Sequence, residues 1–315
     1  MDGFWGVVSS ILVLGIAAAI GFICVKSGYI KTEVRDAVSK IIVKVTLPIL
    51  VVTTMTKLEL DMQRVLNCVT IIIIGWCSVG SLYLLGTLIA KLFRMNGAKK
   101  VLHSCMTCFG NIVFVAYPLI RGIYGDEGIL YAALFAFAND CFLWTLGVYK
   151  LSNVNSRKGD LKNSIKKLVN PGTCAVAVSL VMMAFGLHFG GILKESLEGI
   201  GAVTTYLSML FLGGTLASVD FKRIYKQVPL FVLTIVKMLL FPMLLLFVLK
   251  FIGIDSTVAG VAVLQTAMPV STVLAILASE YKCDSVYSAE GSFVTTVLCV
   301  VTLPVVYYMI TMVYG

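Results

Sequence analysis

Cys108-Phe-Gly-Asn-Ile-Val-Phe-Val-Ala-Tyr-Pro118 and Leu264-Gln-Thr-Ala-Met-Pro-Val-Ser-Thr272 are apolar enough to lie in a bilayer, yet each carries helix breakers near its middle. Pro118 and Pro269 each lack a backbone donor and disfavour a helical residue before them, while Gly110 permits an unwound turn. Backbone that leaves the helix at membrane depth survives only where it is buried in protein or lines a cavity. Two such spans crossing at one point would aim the positive ends of half-helices at it, and the free amides there can hold an anion. Gly110, Asn111 and Pro118 on the first stretch, and Gln265, Met268, Pro269, Ser271 and Thr272 on the second, are therefore the candidate substrate-binding residues. A lone proline in a membrane helix reads as a simple kink, and Pro48, Pro242 and Pro304 are taken that way; the functional reading rests on the paired breakers.

The sequence around these stretches is that of a membrane protein. Of 315 residues 59% are apolar and 13% charged, with a mean hydropathy of +0.98, against about 25% charged in soluble domains. Apolar windows bounded by charge give ten spans, near 4–25, 37–55, 65–90, 101–121, 129–150, 171–189, 200–218, 228–251, 257–279 and 286–312. Nineteen of the 25 Lys and Arg residues fall on one set of alternate connections, while the other set holds Lys57, Arg64, Arg121, Lys194 and Lys250. Positive charge is retained on the cytoplasmic side, so both termini are expected outside a plasma (inner) membrane. The net charge of +9 is thus an orientation signal, and a nucleic-acid partner is not expected. MDGFWG at the start has Asp2 and no basic region, so the first span reads as retained rather than cleaved.

Residues 152–170 form the longest hydrophilic stretch, a basic cytoplasmic linker ending at Pro171. It divides the chain into 1–151 and 171–315, five spans on each side. An odd number of spans per half forces the halves into opposite orientations, the arrangement of inverted-repeat transporters. Sliding the chain by 158 residues lays Gly125-Asp126 on Cys283-Asp284, Phe135 on Phe293 and Asn111 on Pro269. The expected fold class is an all-α membrane protein: ten transmembrane helices as a 5+5 inverted repeat with two broken, crossing helices.

Three ionisable residues, Asp140, Lys237 and Glu290, sit within apolar spans, where each costs at least about 2.5 kcal/mol unless it pairs or meets water. Asp140 and Lys237 are read as a salt bridge, or Asp140 as a carrier of a coupling proton tuned by Lys237. Glu290, about one turn inside the last span, reads as a residue able to snorkel to water or to bind a cation. The nine cysteines pack as small hydrophobes, and the Cys105-x-x-Cys108 pair lacks the partners of a metal set, so no metal is expected. With no HExxH, GxSxG or P-loop, neither an intramembrane enzyme nor a primary pump is favoured. His103 and His188 lie near membrane edges and read as solvated side chains.

Gly28-Tyr-Ile30, Thr46-Leu-Pro-Ile49, Gly110-Asn111-x-x-Phe114-x-x-x-Pro118, Leu143-Trp-Thr-Leu-Gly147, Ala267-Met-Pro269 and Thr302-Leu-Pro304, in that order and spacing, resemble the auxin efflux carrier family nearly end to end. Bacterial members of this length look like malate, malonate or similar organic-acid permeases. The resemblance implies a fold related to the bile-acid symporters and sodium/proton antiporters. In it, spans one, two, six and seven form a scaffold, and spans three to five with eight to ten form an elevator-like transport bundle. It carries Asn111, Pro118 and Pro269 over as substrate-site elements, matches Lys237 to a basic residue common before Pro242, and matches Glu290 to an acidic residue of related bacterial members. It departs at Val273, where the second crossover often has Asn, and at Asp140, where span five often has Asn. The function implied is secondary transport of a small organic anion, with no cofactor and with a proton or sodium ion for coupling. A cation/proton antiporter or a bile-acid-symporter-like carrier is the alternative. The partners implied are the organic anion and membrane lipid, with a homodimer left open.

Overall fold

A computed structural model describes residues 2–59, 61–154, 168–217 and 227–315, with side chains from Val13 onward except Thr32, Glu33, Arg35 and Asp36. Most of the 152–170 linker, and the basic residues Lys222, Arg223 and Lys226, lie outside the described residues. Among the described residues the chain is helical and has no strand. The helices are α1 (Asp2–Lys26), α2 (Thr32–Ile41), α3 (Leu47–Met55), α4 (Met62–Leu92), α5 (Gly97–Cys108), α6 (Tyr117–Phe142), α7 (Val148–Asn153), α8 (Pro171–Ala184), α9 (Gly191–Leu216), α10 (Val228–Ile235), α11 (Phe241–Ile252), α12 (Ser256–Thr266), α13 (Val273–Glu280) and α14 (Ser285–Tyr314).

Several of these join through single wide turns into longer rods. Among the described residues six resulting helices are long and apolar enough to cross a membrane: Ala37–Met55, Met62–Leu92, Ile112–Asn153, Gly191–Leu216, Val228–Ile252 and Ser285–Tyr314. Their outward faces match that medium. On α4, Leu66, Ile73, Leu84, Leu88 and Leu92 are exposed, while Ile71, Val79, Leu82 and Ala90 are buried; an apolar stripe of that length is stable against lipid, not water.

Three of the wide turns among the described residues have a local cause; the fourth, Leu143–Gly147, has no proline just after it. Ile42–Thr46, Ile112–Ala116 and Val236–Leu240 each end two residues before a proline: Pro48, Pro118 and Pro242. A proline ring collides with the carbonyl four residues back and cannot bond to it, and adding a residue to that turn relieves the collision without ending the helix. Pro118 therefore does not interrupt its span, which breaks earlier, at Phe109–Asn111. Pro304 lies inside the continuous α14. α6 is two helices that meet at Gly125, whose φ of 62° and ψ of −145° are not helical and suit a residue without Cβ, so Ile112–Asn153 is interrupted there. Helix starts are conventional: Asn170 Oδ1 accepts from the Gly172 and Thr173 amides ahead of Pro171, and Asp255 and Asp284 cap α12 and α14.

The chain divides into two compact units. The first comprises Met1–Thr70, Val113–Leu134 and Val169–Ser218, the second Ile71–Ile112, Phe135–Leu168 and Val219–Gly315. In the first, α1 and α9 lie almost backbone to backbone. A Cβ added to Gly21 or Gly213 would meet the carbonyl oxygen of Leu210 or Ala18, respectively, the close approach that small residues give membrane helices. The second unit has its own apolar core, in which Leu102, Phe109, Leu143, Leu230, Val270, Leu274 and Tyr287 pack together.

Candidate functional site

The second unit holds both interruptions. After α5, Phe109 turns to extended backbone (φ −92°, ψ 116°), and the chain becomes helical again at Ile112. After α12, Ala267 to Thr272 leave the helix before α13 starts at Val273. The two breaks run antiparallel, with Gly110 opposite Val270. The Asn111 amide donates to the Pro269 carbonyl at 2.7 Å, and the Ser271 amide donates to the Phe109 carbonyl at 3.1 Å. Each break thus supplies the backbone partners that the other lost by leaving its helix, which is what burial of non-helical backbone demands. Gly110 is suited to this approach: a Cβ there would lie 3.2 Å from the Met268 Cβ.

A third element fixes the pair. Thr295 Oγ1 on α14 accepts from the Val270 amide at 2.9 Å and donates to the Gly291 carbonyl at 2.7 Å, while Ser292 Oγ donates to the Ser271 carbonyl at 3.3 Å. These hydroxyls were not among the expected site residues. Their sequence signal is the run of small and hydroxyl residues Ser288, Gly291, Ser292, Thr295 and Thr296 along one side of α14, all buried.

Gly110, Asn111, Gln265, Met268, Pro269, Ser271 and Thr272 are thus gathered in one place, all but the half-buried Thr272 being buried. Pro118 is not part of the crossing; it belongs to the first unit. Lys237 is 1% exposed, and its ammonium donates to the Thr107 carbonyl at 2.9 Å. Thr107 is in the last turn of α5, where carbonyls lack helical partners and the dipole favours a cation. The contact that seats Lys237 is therefore a helix end beside the crossing, in place of the anticipated Asp140 carboxylate. Asp140 is half-buried on α6. Glu290 is 6% exposed and so does not snorkel. His103, expected to be solvated, is 0% exposed and lies 2.9 Å from the Tyr287 hydroxyl through Nδ1. His188 Nδ1 lies 2.5 Å from the Thr56 carbonyl. Among the described residues no group of acidic, Cys or His side chains is arranged to hold a metal.

The crossing presents the Asn111 carboxamide, the Ser271 and Thr272 hydroxyls and the positive ends of the helices that start at Ile112 and Val273, although the Leu274 and Ala275 amides already bond to the Ser271 and Thr272 carbonyls. That is a donor-rich point set in an apolar surround, and it suits a small anion. The model of a family described as membrane transport protein matches residues 6–307. The chain belongs to that family. It is accordingly a multi-pass membrane transporter, and the kinship with the auxin efflux carriers read from the motifs is borne out. This member of the membrane transport protein family is similar to an uncharacterized transporter of Methanothermobacter thermautotrophicus, 25% identical over 96% of this chain and 97% of the relative. It is also similar to an uncharacterized transporter of Methanocaldococcus jannaschii, 24% identical over 91% of this chain and 93% of that one. A transporter's role accords with reading the chain as a carrier and not an enzyme.

Proposed function

We propose that the chain is a secondary carrier of small organic anions, malate- or malonate-like carboxylates, which bind at the crossing of the two broken spans. The observation that carries this reading is the pairing of Asn111 with Pro269 across the antiparallel breaks. The same two residues superpose when the sequence is slid by 158 residues. A two-fold axis relating an inverted repeat would have to pass where a residue meets its own repeat mate, so this coincidence supports a 5+5 arrangement of ten spans, divided at 152–170. The donors named above then take the carboxylate, with the Asn111 side chain selecting its orientation. The seated Lys237 ammonium adds positive potential.

Movement follows the elevator scheme. The first unit includes the chain of expected spans one, two, six and seven, whereas the crossing belongs entirely to the second. A coupling ion, proton or sodium, drives it, with Asp140 or Glu290 as the titrating or ligating group. The charge pattern supports a plasma-membrane setting with both termini outside. The test is uptake into proteoliposomes of labelled dicarboxylates, monocarboxylates and indole acids, with sodium and proton gradients imposed separately. One gradient should drive accumulation of an unmodified anion. Asp140→Asn should abolish the pH dependence if Asp140 carries the proton; transport that keeps its pH profile removes it from that role.

A further inference from the structure

The first unit contains a cavity of about 370 Å³ between α1, α6 and α9, lined by Val13, Leu14, Pro118, Arg121, Thr205 and Tyr206. Among the described residues its lining is apolar except for Thr205, Tyr206 and the Arg121 guanidinium. The five basic residues on the sparsely charged connections show why that guanidinium is unusual. Lys57 pairs with Asp126 and Glu198, Arg64 pairs with Asp61, and Lys250 lies over the Tyr314 ring. Lys194 is exposed. Arg121 is half-buried, and among the described residues its side chain makes no hydrogen bond or ion pair. A guanidinium has five donors in a planar fork and cannot shed its charge. Partly withdrawn from water beside apolar walls, it calls for a planar anion, and a carboxylate fits the fork through two hydrogen bonds.

We propose that Arg121 and this cavity form a second carboxylate site, separate from the crossing, that takes the transported organic anion before or after it occupies the crossing. The inference rests on the organic-anion reading above. Arg121 binds the carboxylate, the Thr205 hydroxyl bonds its remaining oxygens, and the Leu14, Pro118 and Tyr206 faces accept the apolar part of the molecule. The volume is in the range of small-molecule pockets, ~300–1,000 Å³. A lipid phosphate would present the same chemistry to the guanidinium, so the test separates the two sources.

Two measurements on the full chain decide it. In the first, Arg121 modification by phenylglyoxal is followed by peptide mass spectrometry in pure phosphatidylcholine vesicles, with and without millimolar malate, malonate or indole-3-acetate. Slower modification with at least one carboxylate is expected. Slowing that occurs solely when phosphatidylglycerol is added assigns the site to lipid and overturns the proposal, as does no slowing under any condition. In the second, uptake is compared for wild type, Arg121→Lys and Arg121→Gln. Arg121→Gln should raise KM about ten-fold or more with Vmax within about two-fold, the loss of a charge-assisted hydrogen bond, and Arg121→Lys should fall between. An unchanged KM in Arg121→Gln overturns the proposal while leaving the crossing's role intact. Protection by a carboxylate in a chain that transports none would keep this site and refute the carrier reading instead.

Discussion

Replacing Thr295 by Val keeps the side chain's shape and deletes one hydroxyl at the centre of the structure. That hydroxyl is the 2.9 Å acceptor for the Val270 amide, and Thr295 is 0% exposed, so no water can take its place. The bond that it donates to the Gly291 carbonyl matters less, because that carbonyl sits within α14 and keeps its helical partner. The loss therefore falls on a buried, unpaired backbone donor, which costs about 1–3 kcal/mol. Thr296→Val, on the same helix, removes only a hydroxyl that bonds back to the Ser292 carbonyl at 2.6 Å; with no donor orphaned, it should cost about 0–0.5 kcal/mol. Thermal unfolding of the purified protein should place Thr295→Val below Thr296→Val by ~2–4 °C for each kcal/mol. Thr295→Ser, which keeps the acceptor, should recover most of the difference, and uptake should follow the same order. Equal effects of the two Val variants, or a Ser variant as damaged as the Val one, would refute the idea that α14 holds the second break through this hydroxyl.

At the α1–α9 contact, Gly213→Ala drives a Cβ into the Ala18 carbonyl and should lower stability by about 1–3 kcal/mol. Gly199→Ala, on the same helix with nothing within 4 Å of the new Cβ, should be neutral or gain up to about 1 kcal/mol of helix propensity; thermal unfolding compares the two. Lys57→Gln removes ion pairs at 3.5 and 3.1 Å to Asp126 and Glu198. Because all three side chains are about one-third exposed, the cost should stay below about 1 kcal/mol and shrink in molar salt. His103→Leu and Tyr287→Phe each strand one partner of a buried contact, so a double-mutant cycle read by unfolding should show a coupling of about 1–2 kcal/mol. Additive losses would contradict the contact.

The crossing was legible because its causes are local. Gly110 permits an unwound turn and Pro269 disfavours helical backbone at Met268 before it, and both breaks fall there. Pro118 is equally conspicuous in the sequence, but a proline can be absorbed by one wide turn before it, and the sequence does not distinguish that outcome from a break. The residues that seat the crossing were harder to see. Thr295 and Ser292 look like ordinary membrane-helix hydroxyls, which usually bond to their own helix, and their partners on the second break lie more than twenty residues away. Lys237 shows why a charge cannot be paired from sequence alone: a helix-end carbonyl competes with a carboxylate, and where a helix ends in space is a tertiary fact. His103 was misplaced for a similar reason, since hydropathy gives depth along the span but not which side of the helix faces the protein.

Counterflow tests the central claim most directly, because it needs no knowledge of the coupling ion. Vesicles containing the protein are preloaded with an unlabelled carboxylate and diluted into a trace of the same compound carrying label. The account predicts a transient overshoot of unmodified label for at least one dicarboxylate or monocarboxylate, lost when the crossing is forced apart by Gly110→Val. No overshoot with any carboxylate, together with sodium or proton flux after a pH jump in the absence of organic anions, would contradict it and identify a cation antiporter instead.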